Sequence, residues 1–163
     1  MPEKKTREAA KKDKREGKSA STQAGEYVHE EIEHVKHGKH GARSTRQAIA
    51  IGLSKARRDG VKAPTKKAAS AATKKKASQD EKAARHPHKP SSTRSKATKS
   101  ALKKEGHGAA SSRSLSAQAK KASAKRTAGS RSAAAKKAAH TKGATGRSAA
   151  ARKAAATRKK NAQ

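Results

Sequence analysis

The sequence has no cysteine, tryptophan or phenylalanine, and only one tyrosine, Tyr27. Without thiols there can be no disulfide and no thiolate metal site, and a reducing compartment suits the chain. Without aromatics there is no stacking platform of the kind that reads single-stranded bases. Acidic residues are also scarce: 12 Asp/Glu stand against 44 Lys/Arg, a formal net charge of +32 and a pI near 11.2. Long apolar runs are missing too, and nothing approaches the ~20 residues of a membrane span. The opening MPEKKTREAAKKDKREGK lacks the apolar centre of a secretory signal. The expected location is cytoplasmic and nucleoid-associated.

What remains is alanine and positive charge. Thirty per cent of the residues count as hydrophobic, but most are alanines, which bury little area. Low hydrophobicity with high net charge is the composition of chains that cannot offset their ordering entropy. The expected fold class is therefore mostly disordered, with one short all-α helical hairpin and a low-complexity basic tail that becomes partly helical when its charge is neutralised. Three segments follow: a mixed-charge arm over 1–23, a hairpin domain over 24–62 and a cationic Lys/Ala/Ser-rich tail over 63–163.

The hairpin is the one island of apolar bulk. It holds Tyr27, Val28, Ile32, Val35, Ile49, Ile51 and Leu53, whereas beyond Gly60 only Val61, Leu102 and Leu115 exceed alanine. Val28, Ile32 and Val35 recur at i, i+4 and i+7, which predicts a helix over about 24–37 with Ser21 or Thr22 as its cap and Gly38 after its last turn. Ser44 and Gln47 form a capping box ahead of Ile49, Leu53 and Ala56, which predicts a second helix over about 45–59. Gly52 lies beside that second stripe, where a missing Cβ lets another helix come close. Ile51 points away from it and reads as a contact surface, so Val28, Ile32, Val35, Ile49, Ile51, Gly52 and Leu53 are the candidate packing and association residues. Such a small unit is marginal, and a homodimer or a bound partner is expected to complete it. The arm offers a short helix over Lys4–Arg15 with no apolar stripe, expected to fray.

Beyond residue 60 the balance is 29 Lys/Arg against Asp80, Glu81 and Glu105. Charge this one-sided calls for a polyanionic partner, because counterion release favours neutralisation. RSAAAKKAA at 131–139 returns as RSAAARKAAA at 147–156, sixteen residues later, and RSLSAQAKKA at 113–122 is a looser copy. HPHKPSS at 86–92 divides the tail. Sixteen residues are too few for a solenoid unit, so the repetition reads as duplicated cationic peptide. The candidate phosphate contacts begin around the second helix with Arg43, Arg46, Lys55, Arg57 and Arg58. They continue through Lys66, Lys67, Lys74, Lys75 and Lys76 to Lys120, Lys121, Lys125 and Arg126. The duplicated peptides add Arg131, Lys136, Lys137, Arg147, Arg152, Lys153, Arg158, Lys159 and Lys160.

The segment Arg15–Pro64, with STQAGE at 21–26, KHGARST at 39–45 and QAIAIGLSKARR at 47–58, resembles an uncharacterised bacterial domain found in small, very basic proteins. That resemblance implies no activity. The tail resembles, in composition, the C-terminal domain of linker histone H1 and the bacterial H1-like proteins, although it lacks an S-P-K-K motif and a winged-helix domain precedes it nowhere in this chain. The resemblance implies DNA binding.

Catalysis finds no support: no nucleophile–base pair, no phosphate-binding loop and no apolar pocket is legible, so neither an enzyme nor a cofactor is expected. His34, His37 and His40 recur at every third position near Glu30 and Glu33, but Gly38 should end the helix before His40, and no metal is expected. The reading is a non-enzymatic, largely sequence-independent binder of double-stranded DNA, histone H1-like, that neutralises phosphates and organises the nucleoid. Two rivals stay open: an RNA- or ribosome-associated cationic protein, and an adaptor whose hairpin holds a partner protein while the tail tethers it to DNA.

Overall fold

The computed structural model describes residues 2–65, 69–86 and 91–161. Among these, seven α-helices and one 3₁₀ turn are present and no strand: α1 Lys4–Arg15, α2 Ala20–Lys36, α3 Thr45–Arg58, α4 Ala71–Arg85, α5 Ser92–Lys104, the 3₁₀ turn Gly108–Ala110, α6 Ser112–Ala124 and α7 Ala128–Asn161. The chain forms two compact units, Met1–Gln118 and Ala119–Gln163. The expectation of a mostly disordered chain with a lone hairpin over 24–37 and 45–59 is thereby overturned. Helices α2 and α3 do pair, but α1, α4 and the 3₁₀ turn pack on them as well, and the first unit runs far beyond residue 62.

The reason lies in residues that carry little hydrophobic signal. One core cluster joins Ala10, Ala24, Tyr27, Ala56 and Ala63, with Leu53 and Val61 packed against it. A second joins Val35, Ala42, Ala48, Ala109 and Ala110, with Ile32 alongside. Small side chains let backbones approach closely, so each alanine is well packed despite its small area. Gly52 extends this, since a Cβ there would stand 2.7 Å from the Cα of Val28 and 2.9 Å from the carbonyl oxygen of Tyr27.

Helix α1 is held by polar ties rather than by an apolar stripe. Arg7 reaches Asp59 at the end of α3 through Nε at 3.1 Å and a terminal nitrogen at 2.9 Å. The hydroxyl of Tyr27 donates to the same carboxylate. Glu3 receives Lys39 at 2.7 Å and His34 at 2.9 Å. The arm, expected to fray, is thus fastened through its N-terminal half.

Caps set the helix limits. Ser19, rather than Ser21 or Thr22, caps α2, its Oγ accepting from the Thr22 amide at 3.4 Å. At the other end Gly38 takes φ 72°. Its amide bonds Val35 O and that of Lys39 bonds His34 O, the reciprocal pair of a Schellman end. Ser44 Oγ accepts from the Gln47 amide at 3.3 Å, while Gln47 Oε1 reaches back to the Arg43 amide at 2.8 Å.

The tail is organised by the same chemistry. Ser70, Ser111 and Thr127 each accept an amide hydrogen three residues on, starting α4, α6 and α7. Ala and Lys then propagate the helices. Asp80, 1% exposed, docks α4 on α3 by accepting from Ser54 at 2.6 Å, Arg58 at 2.8 Å and Lys76 at 3.1 Å. Farther on, the Gly41 amide bonds Leu102 O and the Ala42 amide bonds Gly106 O. Thr45 Oγ1 donates to Ala109 O at 2.6 Å. A Cβ on Gly41 would fall 1.8 Å from Glu105 O, so only glycine admits this crossing. Residues 102–110 therefore close over the α2–α3 loop.

Candidate functional site

The cations around α3 divide by where they point. Lys55 faces inward, its Nζ 2.5 Å from Glu31 Oε2 and 3.7 Å from Glu30 Oε1. Arg57 is buried and donates to Ala63 O at 3.2 Å. Arg58 is committed to Asp80. Arg43 is exposed, 3.7 Å from a Glu105 oxygen, and Arg46 is exposed with Nε 3.3 Å from Gln118 Oε1. Lys55 and Arg57 thus serve the interior, Arg58 is half exposed but tied to Asp80, and Arg43 and Arg46 are exposed. Among the packing candidates Val35 and Gly52 are buried, whereas Val28, Ile32, Ile49, Ile51 and Leu53 are half-buried.

Along the rest of the chain, Lys74, Lys75 and Lys76 lie exposed on α4, and Lys76 is drawn to Asp80. Lys66 and Lys67 lie outside the described residues. Lys120 and Lys121 are exposed on α6, and Lys125 and Arg126 on the turn that follows. Over 112–161 there are fifteen Lys/Arg and no Asp or Glu, and every one of the fifteen is exposed.

Helix α7 carries no buried residue and is broken at Gly143, φ 65° and ψ 174°. Its two halves hold cations at one spacing: Arg131, Lys136, Lys137 and Lys142 before the break, Arg147, Arg152, Lys153 and Arg158 after it. Steps of five, one and five residues send the side chains in three directions roughly 120° apart. Lys159 and Lys160 extend the set. Such a helix offers positive charge on all sides rather than on one stripe.

At least half of the twelve acidic groups, by contrast, are engaged within the first unit. Glu3, Asp13, Glu30, Glu31, Asp59 and Asp80 each face a cation of the first unit. Burial pushes the Asp80 carboxyl up, but the hydrogen bonds from Ser54, Arg58 and Lys76 outweigh it and hold the group below its ordinary value. Tyr27 is pushed well up, by burial first and then by its bond to Asp59.

Residues 11–67 match a family model described as a family of unknown function, DUF6496. The match takes in the last part of α1 and all of α2 and α3, and ends before α4; it covers about a third of the chain. No curated protein and no solved structure matches. No helix among the described residues is long and apolar enough to cross a membrane.

A second constellation emerges at the C-terminal end of α2. Glu30 and Glu31 are 6% and 0% exposed, and neither Oε1 of Glu31 nor Oε1 of Glu30 accepts a hydrogen bond. His34 and His40 converge on Glu31. Gly38 ends the helix before His40, as expected, and the Schellman turn then folds the chain back so that His40 meets Glu31. His37 stays outside, paired with Glu33 at 3.0 Å. The sequence signal for Glu31 is faint: a carboxylate one turn before a histidine, within an apolar stripe.

Proposed function

We propose that the protein binds double-stranded DNA without catalysis and largely without regard to sequence, by neutralising backbone phosphates. The observation that carries this reading is the stretch 112–161, fifteen exposed Lys/Arg with no acidic residue among them. Every such cation set against a phosphate releases a condensed counterion, and this release drives sequence-independent binding. Arg43, Arg46, Lys74 and Lys75 add exposed charge on the first unit. Charge on all sides of α7 suits contact with two duplexes at once, which is the geometry of bridging and compaction. An H1-like role in a bacterial nucleoid follows from this chemistry. The half-buried Val28, Ile49 and Ile51 are the surface on which self-association would add to it.

The test compares duplex DNA, duplex RNA and single strands of equal length at one salt concentration. Tightest binding to duplex DNA, indifferent to its sequence, is the expected result. Tightest binding to duplex RNA would move the protein to the ribosome-associated class, and equal, weak binding to all three would remove the nucleic-acid reading.

A further inference from the structure

We propose that Glu31, His34 and His40 form a binding site for a divalent transition cation of the zinc class, a site separate from the DNA-binding surface. Each of the three residues places a ligand atom within 4.8 Å of the other two. Two imidazoles and a carboxylate form a donor set that zinc accepts, with a fourth position left for water. Neighbouring donors around tetrahedral zinc sit about 3.4 Å apart, and His40 Nε2 already lies 3.3 Å from Glu31 Oε1. The remaining donor pairs lie within 4.8 Å and would close by up to about 1.4 Å around the ion. The His34 and His40 rings stand 6.1 Å apart at 84°, so they approach one point from different directions rather than stacking.

Two further observations point to a cation. The first is the state of Glu31, a fully buried carboxylate whose Oε2 meets Lys55 but whose Oε1 accepts no hydrogen bond. A bare carboxylate is costly away from water, and Lys55 supplies one positive charge to the Glu30–Glu31 pair, on the Oε2 side. Oε1 remains turned toward the imidazoles. The second is the orientation of His40. Its Nδ1 donates to Gly41 O at 3.1 Å, which leaves Nε2 as the ring nitrogen facing Glu31. A backbone carbonyl holding the far nitrogen is how metal-binding histidines are fixed in tautomer and direction. His34 and His40 retain 15% and 18% side-chain exposure, enough for a cation to enter.

A bound ion would clamp the end of α2 to the loop that receives residues 102–110. The site is therefore structural. Its effect should appear as added stability of the first unit.

The experiment uses the full-length, chelator-treated protein at neutral pH, titrated with Co²⁺ and then competed with Zn²⁺. One equivalent of cobalt with the intense visible absorption of tetrahedral coordination is expected, displaced by zinc, together with a zinc-dependent rise in melting temperature. His34→Ala and His40→Ala should each weaken binding by more than about tenfold, the loss that even an outer-shell partner can cause. His37→Ala should not change it. Glu31→Gln preserves shape and tests the carboxylate should either alanine variant lose helix content by circular dichroism. Absence of the tetrahedral spectrum, or an equal loss in His37→Ala, would overturn the proposal.

Discussion

Gly52 of α3 lies against Val28 of α2 so closely that a Cβ on Gly52 would come within 2.7 Å of the Val28 Cα. The obstructing atoms are backbone and cannot rotate away. Gly52→Ala should therefore destabilise the first unit by up to about 2 kcal/mol: overpacking costs about 1–3 kcal/mol, and the better helix propensity of alanine returns about 1. Gly25→Ala is the internal control. It lies inside α2 with nothing within 4 Å of a new Cβ, and should stabilise by about 0.5–1 kcal/mol. Opposite shifts in thermal melting are expected, and a stabilising Gly52→Ala would refute the close α2–α3 crossing.

Asp80→Asn should loosen α4 from α3. The carboxylate is buried, but Arg58 and Lys76 are about half exposed and regain water when it is replaced, so the cost is about 1–2 kcal/mol. Because the folded-state pKa of Asp80 is depressed, its contribution is present above the ordinary value of 3.8 and disappears as pH falls through the lower folded value. Protection from hydrogen exchange over 71–85, taken relative to the intrinsic rate at each pH, should fall in acid in the parent and show a smaller pH dependence in the variant.

Tyr27→Phe removes the hydroxyl that donates to Asp59 and should cost about 1.5 kcal/mol. The folded-state phenol is raised above its ordinary value of 10.0. Its stabilisation is therefore complete below that value and is lost as pH rises toward the folded one. Urea midpoints measured between neutral pH and pH 11 should converge for parent and variant at the alkaline end. A constant difference across the range would show that the hydroxyl is not engaged in the fold.

The elements of the fold differ in how legible they are in the sequence. The stripe of Val28, Ile32 and Val35 and the cap at Ser44 carry α2 and α3, because periodicity and capping are local rules. Ala10, Ala24, Ala56 and Ala63 form the first core by close approach, and alanine has the same signature in a core as in an exposed, lysine-rich helix. Three acids among 29 cations beyond residue 60 are the better clue. Two of them, Asp80 and Glu105, lie where the tail meets the first helices, and rarity marks them. Gly41 is illegible, since its necessity comes from Glu105, sixty-four residues away. So is the convergence of His40 on Glu31, which depends on a turn reversing the chain.

The placement of individual cations gives a sharp contrast. Lys55→Gln should leave the salt dependence of DNA binding unchanged but destabilise the fold by about 3 kcal/mol, since it abandons Glu30 and Glu31 in the interior. Replacing Arg147, Arg152, Lys153 and Arg158 by Gln should leave folding of the first unit intact. It should make the salt dependence shallower by about 0.9 for each phosphate no longer neutralised. Anisotropy titrations and urea melts on the same preparations separate the two effects.

The central claim, that exposed charge beyond residue 111 drives association with duplex DNA, is tested most directly by the affinity of the full chain for a duplex between 50 and 200 mM salt. With about ten phosphates engaged, the logarithm of the association constant should fall with the logarithm of salt at a slope near −9, roughly a 10⁵-fold loss over that range. A slope shallower than about −3 would contradict the account, because it corresponds to about three neutralised phosphates.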